Sequence, residues 1–131
     1  MNLSSVRLIV RDIKKLVAFY EAVTARPARW LNDDFAELPT RACTLAIGSE
    51  RTVKLFAEGA ARAADNHTAI VEFLVDDVDA VFARLDGVIT DLVQPPTTMP
   101  WGNRSLLFRD PEGNLINLFA PVTEAAKQRF R

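Results

Sequence analysis

Few side chains in this sequence are of the types that act as nucleophiles, general bases or metal ligands. There is one histidine, His67, and one cysteine, Cys43, so an internal disulfide and a thiolate metal cluster are excluded and histidine-based sites are limited. Cys43 stands in an apolar stretch without a neighbouring histidine, which predicts a buried, unreactive thiol. Glu72 is the catalytic candidate that remains, because its carboxylate could act as a general base.

Two similar segments of the chain must position these residues. In each, an apolar strand is followed by an aspartate and an amphipathic helix: strand 3–10, Asp12 and helix 13–24, then strand 68–75, Asp77 and helix 78–85. Aspartate is a favoured residue at the N-cap of a helix. Because the pattern occurs twice, the sequence predicts a single domain over residues 1–131 that is built from two related modules.

Three short strands are predicted after each helix. They cover about 34–38, 41–47 and 52–57 in the first module and about 88–93, 104–109 and 115–120 in the second. Pro95-Pro96 is expected to break the chain after strand 88–93, and segments 53–57 and 116–120 are alike. Module 1 then covers about 3–57, a polar linker 58–66, module 2 about 67–121 and a C-terminal helix, capped by Thr123, about 122–130. This order, βαβββ twice, predicts an α+β fold.

The overall composition narrows the class of protein. The 16 Lys and Arg residues and 17 Asp and Glu residues give a net charge of −1 without a basic cluster, so no nucleic-acid partner is expected. No apolar run reaches the ~18 residues of a membrane-spanning helix, so no membrane partner is expected either. The single cysteine suits a reducing compartment, which predicts a cytoplasmic location.

The most specific stretch of the sequence lies near its end. Pro100-Trp101-Gly102 precedes one predicted strand, and Asp110-Pro111-Glu112-Gly113-Asn114 forms a turn into the last strand. With the strand-Asp-helix openings, this stretch resembles the vicinal oxygen chelate superfamily, which includes glyoxalases, extradiol dioxygenases, fosfomycin resistance enzymes and bleomycin resistance proteins. The resemblance covers about residues 3–121. It implies a curved, mostly antiparallel sheet that forms an open cup, with the helices on its outer face.

The resemblance also implies four positions for metal ligands. Metal-dependent members of the superfamily place a ligand on the first and last strand of each module, usually His or Gln and then Glu. In this sequence the four positions fall on Ser5, Lys54, Ile70 and Asn117. Ile70 has no donor atom and Lys54 carries a positive charge, whereas metal sites favour Cys, His and carboxylates. We therefore expect no metal site and no cofactor, with His67 on the opposite face of its strand from Ile70.

Strand alternation predicts which side chains would line the implied cup. It places six candidate ligand contacts inside the cup: Arg7, Lys54, Phe56, Glu72, Asn117 and Phe119. Three further candidates are expected at its rim: Trp30, Phe35 and Trp101. Apolar walls with a few polar groups are typical of small-molecule pockets. In the alternative interpretation, Arg7 or Lys54 neutralises Glu72 inside the protein, and the aromatic residues complete a core or a dimer interface.

Three hypotheses of function follow. The first is a metal-free protein, similar to the bleomycin resistance branch, that sequesters an aromatic or antibiotic-like small molecule; by resemblance it would be a homodimer. The second is a lyase, isomerase or dioxygenase-like enzyme with an altered metal site or none, in which Glu72, Lys54 or Arg7 acts as the polar catalyst. The third is an interaction domain whose cup is filled by its own side chains.

Overall fold

The computed structural model describes residues 1–130, which form eight strands and four helices. The first half contains β1 (Ser5–Val10), α1 (Ile13–Thr24), β2 (Arg29–Asn32), β3 (Phe35–Pro39), β4 (Thr44–Ser49) and α2 (Glu50–Val53). The second contains β5 (Ile70–Leu74), α3 (Val78–Arg84), β6 (Leu92–Thr98), β7 (Asn103–Arg109), β8 (Leu115–Pro121) and α4 (Glu124–Arg129). The chain divides into two compact units, one ending at Asn66 and the other beginning at His67.

Both units have the same sheet topology. The strand order is β1-β4-β3-β2 in the first unit and β5-β8-β7-β6 in the second. In each sheet the first strand pairs in parallel with the last, and the remaining neighbours are antiparallel. The predicted α+β class and the doubled βαβββ order are confirmed.

The two long helices begin where the sequence predicts. Asp12 accepts a hydrogen bond from the backbone N of Lys15 at 3.1 Å, and Asp77 accepts one from the backbone N of Ala80 at 3.0 Å. Each aspartate thereby satisfies an N–H group that has no partner within the helix. The apolar positions of α1 are buried: Ile13, Leu16, Val17, Phe19, Tyr20 and Val23.

Each sheet has one buried apolar face and one polar face. In the first sheet, Leu8, Ile47 and Ala36 lie side by side on three neighbouring strands, and all three are buried. In the second sheet, Ile116 and Leu118 of β8 are buried, whereas the alternate residues of that strand are half-buried. Alternation along the strands therefore separates the two faces as predicted.

The predicted strand at 52–57 is wrong. This segment contains the end of α2 and a turn, in which the backbone N of Phe56 donates to the carbonyl of Val53. Val53 is buried, but Leu55 is 86% and Phe56 58% exposed. The apolar residues of this segment are therefore not packed against the rest of the unit as those of a core strand would be. The strand that pairs with β1 is β4, and the likeness between 53–57 and 116–120 has no structural counterpart.

Two further strands differ from the predictions. The strand β2 at Arg29–Asn32 was not predicted, and β6 covers Leu92–Thr98 instead of 88–93, with Pro95 and Pro96 inside it. Both are edge strands with irregular register. Proline is tolerated on an edge strand because one side of the strand donates no ladder hydrogen bonds.

The closing turn and the last helix agree with the sequence. Asp110 is buried and accepts hydrogen bonds from the backbone N of Glu112 at 2.8 Å and of Asn114 at 3.0 Å. Thr123 caps α4 by accepting from the backbone N of Ala126 at 3.3 Å. None of the helices in the described part of the chain is long and apolar enough to cross a lipid bilayer.

Candidate functional site

The polar face of the second sheet carries the most informative group of predicted site residues. It is the face opposite the buried Ile116 and Leu118, and strand register places the following residues on it: Ile70, Glu72, Leu74, Asn103, Ser105, Leu107, Arg109, Leu115, Asn117 and Phe119. Glu72 and Asn117 are direct partners in the parallel pairing of β5 with β8. The sequence therefore predicted correctly that Glu72, Asn117 and Phe119 share a face.

Glu72 and Asn117 are joined by a hydrogen bond. The side-chain Nδ2 of Asn117 donates to Oε2 of Glu72 at 2.7 Å. A carboxylate only accepts hydrogen bonds, so this contact fixes which end of the amide faces Glu72. The other end of the amide, Oδ1 of Asn117, is buried and has no hydrogen-bond partner among the described residues. An unpaired buried acceptor is unfavourable and marks a place where a hydrogen-bond donor would be stabilising.

A second unpaired amide oxygen lies on the same face. Asn103 begins β7 and is only 9% exposed, and its Oδ1 has no partner within residues 1–130. Along β7, Asn103, Ser105 and Leu107 alternate onto one face, and Leu107 is the partner of Asn117 on β8. Asn103 was not predicted as a site residue, because the predicted strand, 104–109, begins one residue after it.

Phe119 has an aromatic neighbour that was not among the predicted site residues. Its ring centroid lies 5.4 Å from that of Phe130, which follows α4, and the two planes are tilted by 57°. The guanidinium carbon of Arg129 lies 5.6 Å from the Phe130 centroid. Trp101 lies in the turn before β7 and is 59% exposed, as predicted for a loop residue.

The polar face of the first sheet brings Arg7 and Phe35 together. The guanidinium carbon of Arg7 lies 4.9 Å from the Phe35 centroid, within the range of a cation–π interaction. Strand register puts Glu37 and Arg29 on this face as well, and these two side chains form an ion pair. Arg29 and Glu37 were not predicted as site residues, because β2 was not predicted.

Besides Trp101, which lies in a turn, three predicted site residues are not on a polar face. Trp30 is the direct partner of the buried Ala36, so it lies on the apolar side of the first sheet, 41% exposed. Lys54 is the C-cap of α2, and Phe56 is in the turn that follows. Lys54 and Phe56 were placed in the predicted cup by a strand at 52–57, which is wrong. Trp30 was expected at the rim of the cup, and it lies on β2, which was not predicted.

The residues at the superfamily's metal positions do not fit a metal ion. Lys54 is not on the last strand of the first module, so the counterpart of Asn117 is the β4 residue that pairs with Arg7, which is Ala46. Ala46 and Ile70 have no donor atom. Within the described residues there is no group of three or more His, Cys, Asp or Glu side chains that could hold a metal. His67 is exposed and precedes β5.

The titratable groups with shifted pKa values form ion pairs between elements and lie away from the polar faces. Arg104 donates to both carboxylate oxygens of Asp79, at 2.6 and 2.8 Å; these hydrogen bonds hold the pKa of Asp79 below its usual value and raise the pKa of Arg104. Hydrogen bonds from Arg51 and Ser49 lower the pKa of Asp34 in the same way. These pairs connect α3 to β7 and the β2–β3 turn to the end of β4. Cys43 is half-buried, and its Sγ lies 3.7 Å from the carbonyl of Thr44.

Comparison with known proteins agrees with this fold. A family model described as the Glyoxalase/Bleomycin resistance protein/Dioxygenase superfamily matches residues 2–118. The uncharacterized protein YraH of Bacillus subtilis (strain 168) is 30% identical over 132 residues, covering 91% of this chain and 98% of YraH.

Solved structures show the same architecture. A glyoxalase/bleomycin resistance protein/dioxygenase family enzyme from Burkholderia phytofirmans PsJN superimposes with a TM-score of 0.80 at 19% identity, over 93% of this chain and all of that one (100%). A glyoxalase/bleomycin resistance protein/dioxygenase from Nocardioides gives a TM-score of 0.76 at 19% identity, over 95% and 85% of the two chains. The chain therefore belongs to the glyoxalase/bleomycin resistance protein/dioxygenase superfamily.

Proposed function

We propose that this chain binds a small organic molecule without a metal ion, on the polar face of its second sheet. The observation that carries the proposal is the buried, unpaired Oδ1 of Asn117, held in place by the hydrogen bond to Glu72. Asn117 occupies a position where metal-dependent members of the superfamily carry a ligand, usually Glu. A neutral amide that is fixed in orientation suits recognition of an organic ligand better than coordination of a metal ion.

The neighbours of this pair supply apolar surface. Phe119 lies two residues beyond Asn117 on β8 and packs against Phe130, and Ile70 and Leu74 flank Glu72 on β5 with about half of their surface exposed. Exposed aliphatic and aromatic side chains around a few polar groups are typical of small-molecule sites. Aromatic rings favour ligands that themselves carry a ring.

We infer further that the protein sequesters an aromatic or antibiotic-like ligand as a homodimer in the cytoplasm. The inference of sequestration rests on the resemblance to the bleomycin resistance branch, as does the dimer, and the cytoplasmic location rests on the single cysteine. Glu72 is the residue on which a catalytic alternative would depend, and turnover of a bound compound that stops in Glu72→Gln would favour the enzyme instead.

A thermal-shift screen tests the binding proposal. Aromatic antibiotics and aromatic metabolites are added to the purified protein in the presence of EDTA. A ligand at 100 times its Kd stabilises the native state by about 2.7 kcal/mol, so the melting temperature should rise by several degrees for at least one class of compound. The proposal is contradicted if no compound raises the melting temperature, or if the rise appears only after a divalent metal is added.

Two tryptophan variants make the screen specific. Trp101 precedes β7 and Trp30 lies on the apolar side of the first sheet, and both are exposed. Trp101→Ala should weaken binding of the active compounds, whereas Trp30→Ala should leave their Kd unchanged. Equal Kd values for Trp101→Ala and the unmodified protein would remove Trp101 from the site.

A further inference from the structure

We propose that the ligand presents a hydrogen-bond donor of positive charge, such as a protonated amine, to Glu72 and Asn117, and that it is attached to a ring that lies against Phe119. This inference deepens the proposed function and rests on it. The balance of hydrogen-bond donors and acceptors on the polar face of the second sheet points to this class of ligand.

Acceptors outnumber donors at the Glu72–Asn117 pair. The Glu72 carboxylate has two oxygens, of which only Oε2 accepts from Asn117, and Oδ1 of Asn117 accepts from no described residue. Oδ1 of Asn103, on the same face, is also unpaired within the described chain. A carboxylate or phosphate group placed here would meet a like charge and further acceptors, whereas an ammonium group would supply up to three N–H donors.

Within residues 67–130 no arginine forms an ion pair with Glu72. Arg109 lies on the same face, but its Nη1 donates to the carbonyl of Gly113 at 3.1 Å. The Arg129 guanidinium lies over the Phe130 ring. Among the described residues no ion pair involves Glu72, so its negative charge is available to a cationic ligand.

The spacing along β8 sets the length of the ligand. Asn117 and Phe119 are two residues apart on one face, which corresponds to about 7 Å along a strand. An amine joined to an aromatic ring by two or three single bonds spans roughly this distance. The ligand class that fits this spacing is therefore an arylalkylamine, with the ammonium at Glu72 and Asn117 and the ring at Phe119 and Phe130.

Matched pairs of probes test this inference by titration calorimetry in EDTA. Tryptamine is compared with indole-3-propionate, and phenethylamine with 3-phenylpropionate, so that each pair shares a ring and differs in charge. We expect the amine of each pair to bind at least about tenfold more tightly than the carboxylate, since a hydrogen bond to a charged group contributes about 1.5–3 kcal/mol.

Two variants test whether Glu72 and Asn117 cause the preference for amines over carboxylates. Glu72→Gln removes the charge and Asn117→Leu removes the unpaired acceptor, and each should weaken amine binding about tenfold. The control is Glu58→Gln, because Glu58 is an exposed glutamate in the first unit. This variant should bind the amines like the unmodified protein. If Asn117→Leu does not fold, Asn117→Ala replaces it.

The outcomes distinguish failure of the ligand class from failure of small-molecule binding itself. Tighter binding of the carboxylates, or amine binding that is unchanged in both Glu72→Gln and Asn117→Leu, overturns the ligand class and leaves small-molecule binding standing. If none of the four probes binds and the thermal-shift screen also finds no ligand, both the ligand class and the proposed function are overturned.

Discussion

Asn117 is the residue on which the proposed binding site chiefly depends. Its Nδ2 faces Glu72 and its Oδ1 is left buried and unpaired, so the same residue that fails as a strong metal ligand offers an oriented acceptor. If the amide were only structural, both of its ends would be expected to have partners, because buried polar groups in folded proteins are nearly always satisfied.

Replacing Asn117 by leucine should change the stability very little. Asn117→Leu loses one hydrogen bond to the exposed Glu72, but it also removes a buried acceptor without a partner, so the free energy of unfolding should change by less than about 1 kcal/mol. Urea denaturation measures this change. A loss of about 3 kcal/mol or more would mean that the amide has a structural role and would weaken its assignment to a binding site.

Alternation along strands explains which site residues could be predicted. Arg7, Glu72, Asn117 and Phe119 lie on strands that the sequence marks clearly, and their faces were assigned correctly. Asn103 and Phe130 were missed, because one lies at the first residue of a strand and the other after a helix, where a period of two gives no guidance. Which amide oxygens remain unpaired is a property of the packed structure and is not visible in the sequence.

Among the elements, α4 is placed by a close approach to the start of β7. Gly102 has a φ of +92°, and its carbonyl accepts from the backbone N of Val122 and Thr123 at 2.9 and 3.2 Å. A Cβ at Gly102 would collide with the Thr123 side chain and press on Ala126. Glycine is therefore required here both by the backbone conformation and by the space available.

Two glycine variants separate these requirements. Gly102→Ala should lower the free energy of unfolding by about 2–4 kcal/mol, because it adds a steric clash to the strain of a positive φ. Gly113 has a φ of +83°, but a Cβ added there would meet open space. Gly113→Ala should therefore lower the free energy of unfolding by only about 1–2 kcal/mol. Urea denaturation compares the two, and equal losses would contradict the close docking of α4.

The contact between α3 and β7 should make stability depend on pH. Because the Arg104 hydrogen bonds lower the pKa of Asp79 in the folded state, the unfolded chain binds a proton at this residue more readily than the native protein. The stabilisation is therefore present above the ordinary aspartate value of 3.8 and is lost as the pH falls through the lowered pKa.

Asp79→Asn tests this dependence. Between about pH 5 and about pH 2.5, the melting temperature of the unmodified protein should fall more steeply than that of the variant. Arg104→Gln removes the partner and should flatten the profile in the same way. Parallel profiles for all three proteins would show that the Asp79–Arg104 pair contributes nothing to acid stability.

Elements were predictable where a cap or a turn signal marked them. Asp12, Asp77 and Thr123 located three helices, and Asp110-Pro111-Glu112-Gly113 located the closing turn. The predictions failed at residues 52–57, where a short apolar run fits a helix end as well as a strand, and at the edge strands β2 and β6. An edge strand has only one neighbour, so its sequence is constrained less by pairing and tolerates Pro95-Pro96.

For the whole molecule, the two units share one topology and differ in chemistry. Arg7 and Glu72 occupy the same place relative to the capping aspartates Asp12 and Asp77, yet one is a cation over a phenyl ring and the other an anion beside an amide. The duplicated pattern was visible in the sequence. The difference in chemistry between the two polar faces could not be predicted in full, because the sequence predicts the last strand of the first module at residues 52–57, whereas the strand that pairs with β1 is β4.

The donor set at the superfamily's metal positions leads to a prediction about purified protein. After dialysis against Zn²⁺, Mn²⁺ or Ni²⁺ and removal of excess metal, elemental analysis should find well under one ion per chain, because Ala46 and Ile70 offer no donor. The melting temperature should also be unchanged by EDTA. One tightly bound ion per chain would contradict the metal-free proposal.

The most direct test of ligand binding at the second sheet is a ¹H–¹⁵N NMR titration with tryptamine in EDTA. The proposal predicts saturable shift changes concentrated in β5, β8 and the start of β7, including the amides of Glu72, Asn117 and Phe119. Saturable changes confined to the unit that ends at Asn66, or no changes at all, would contradict it.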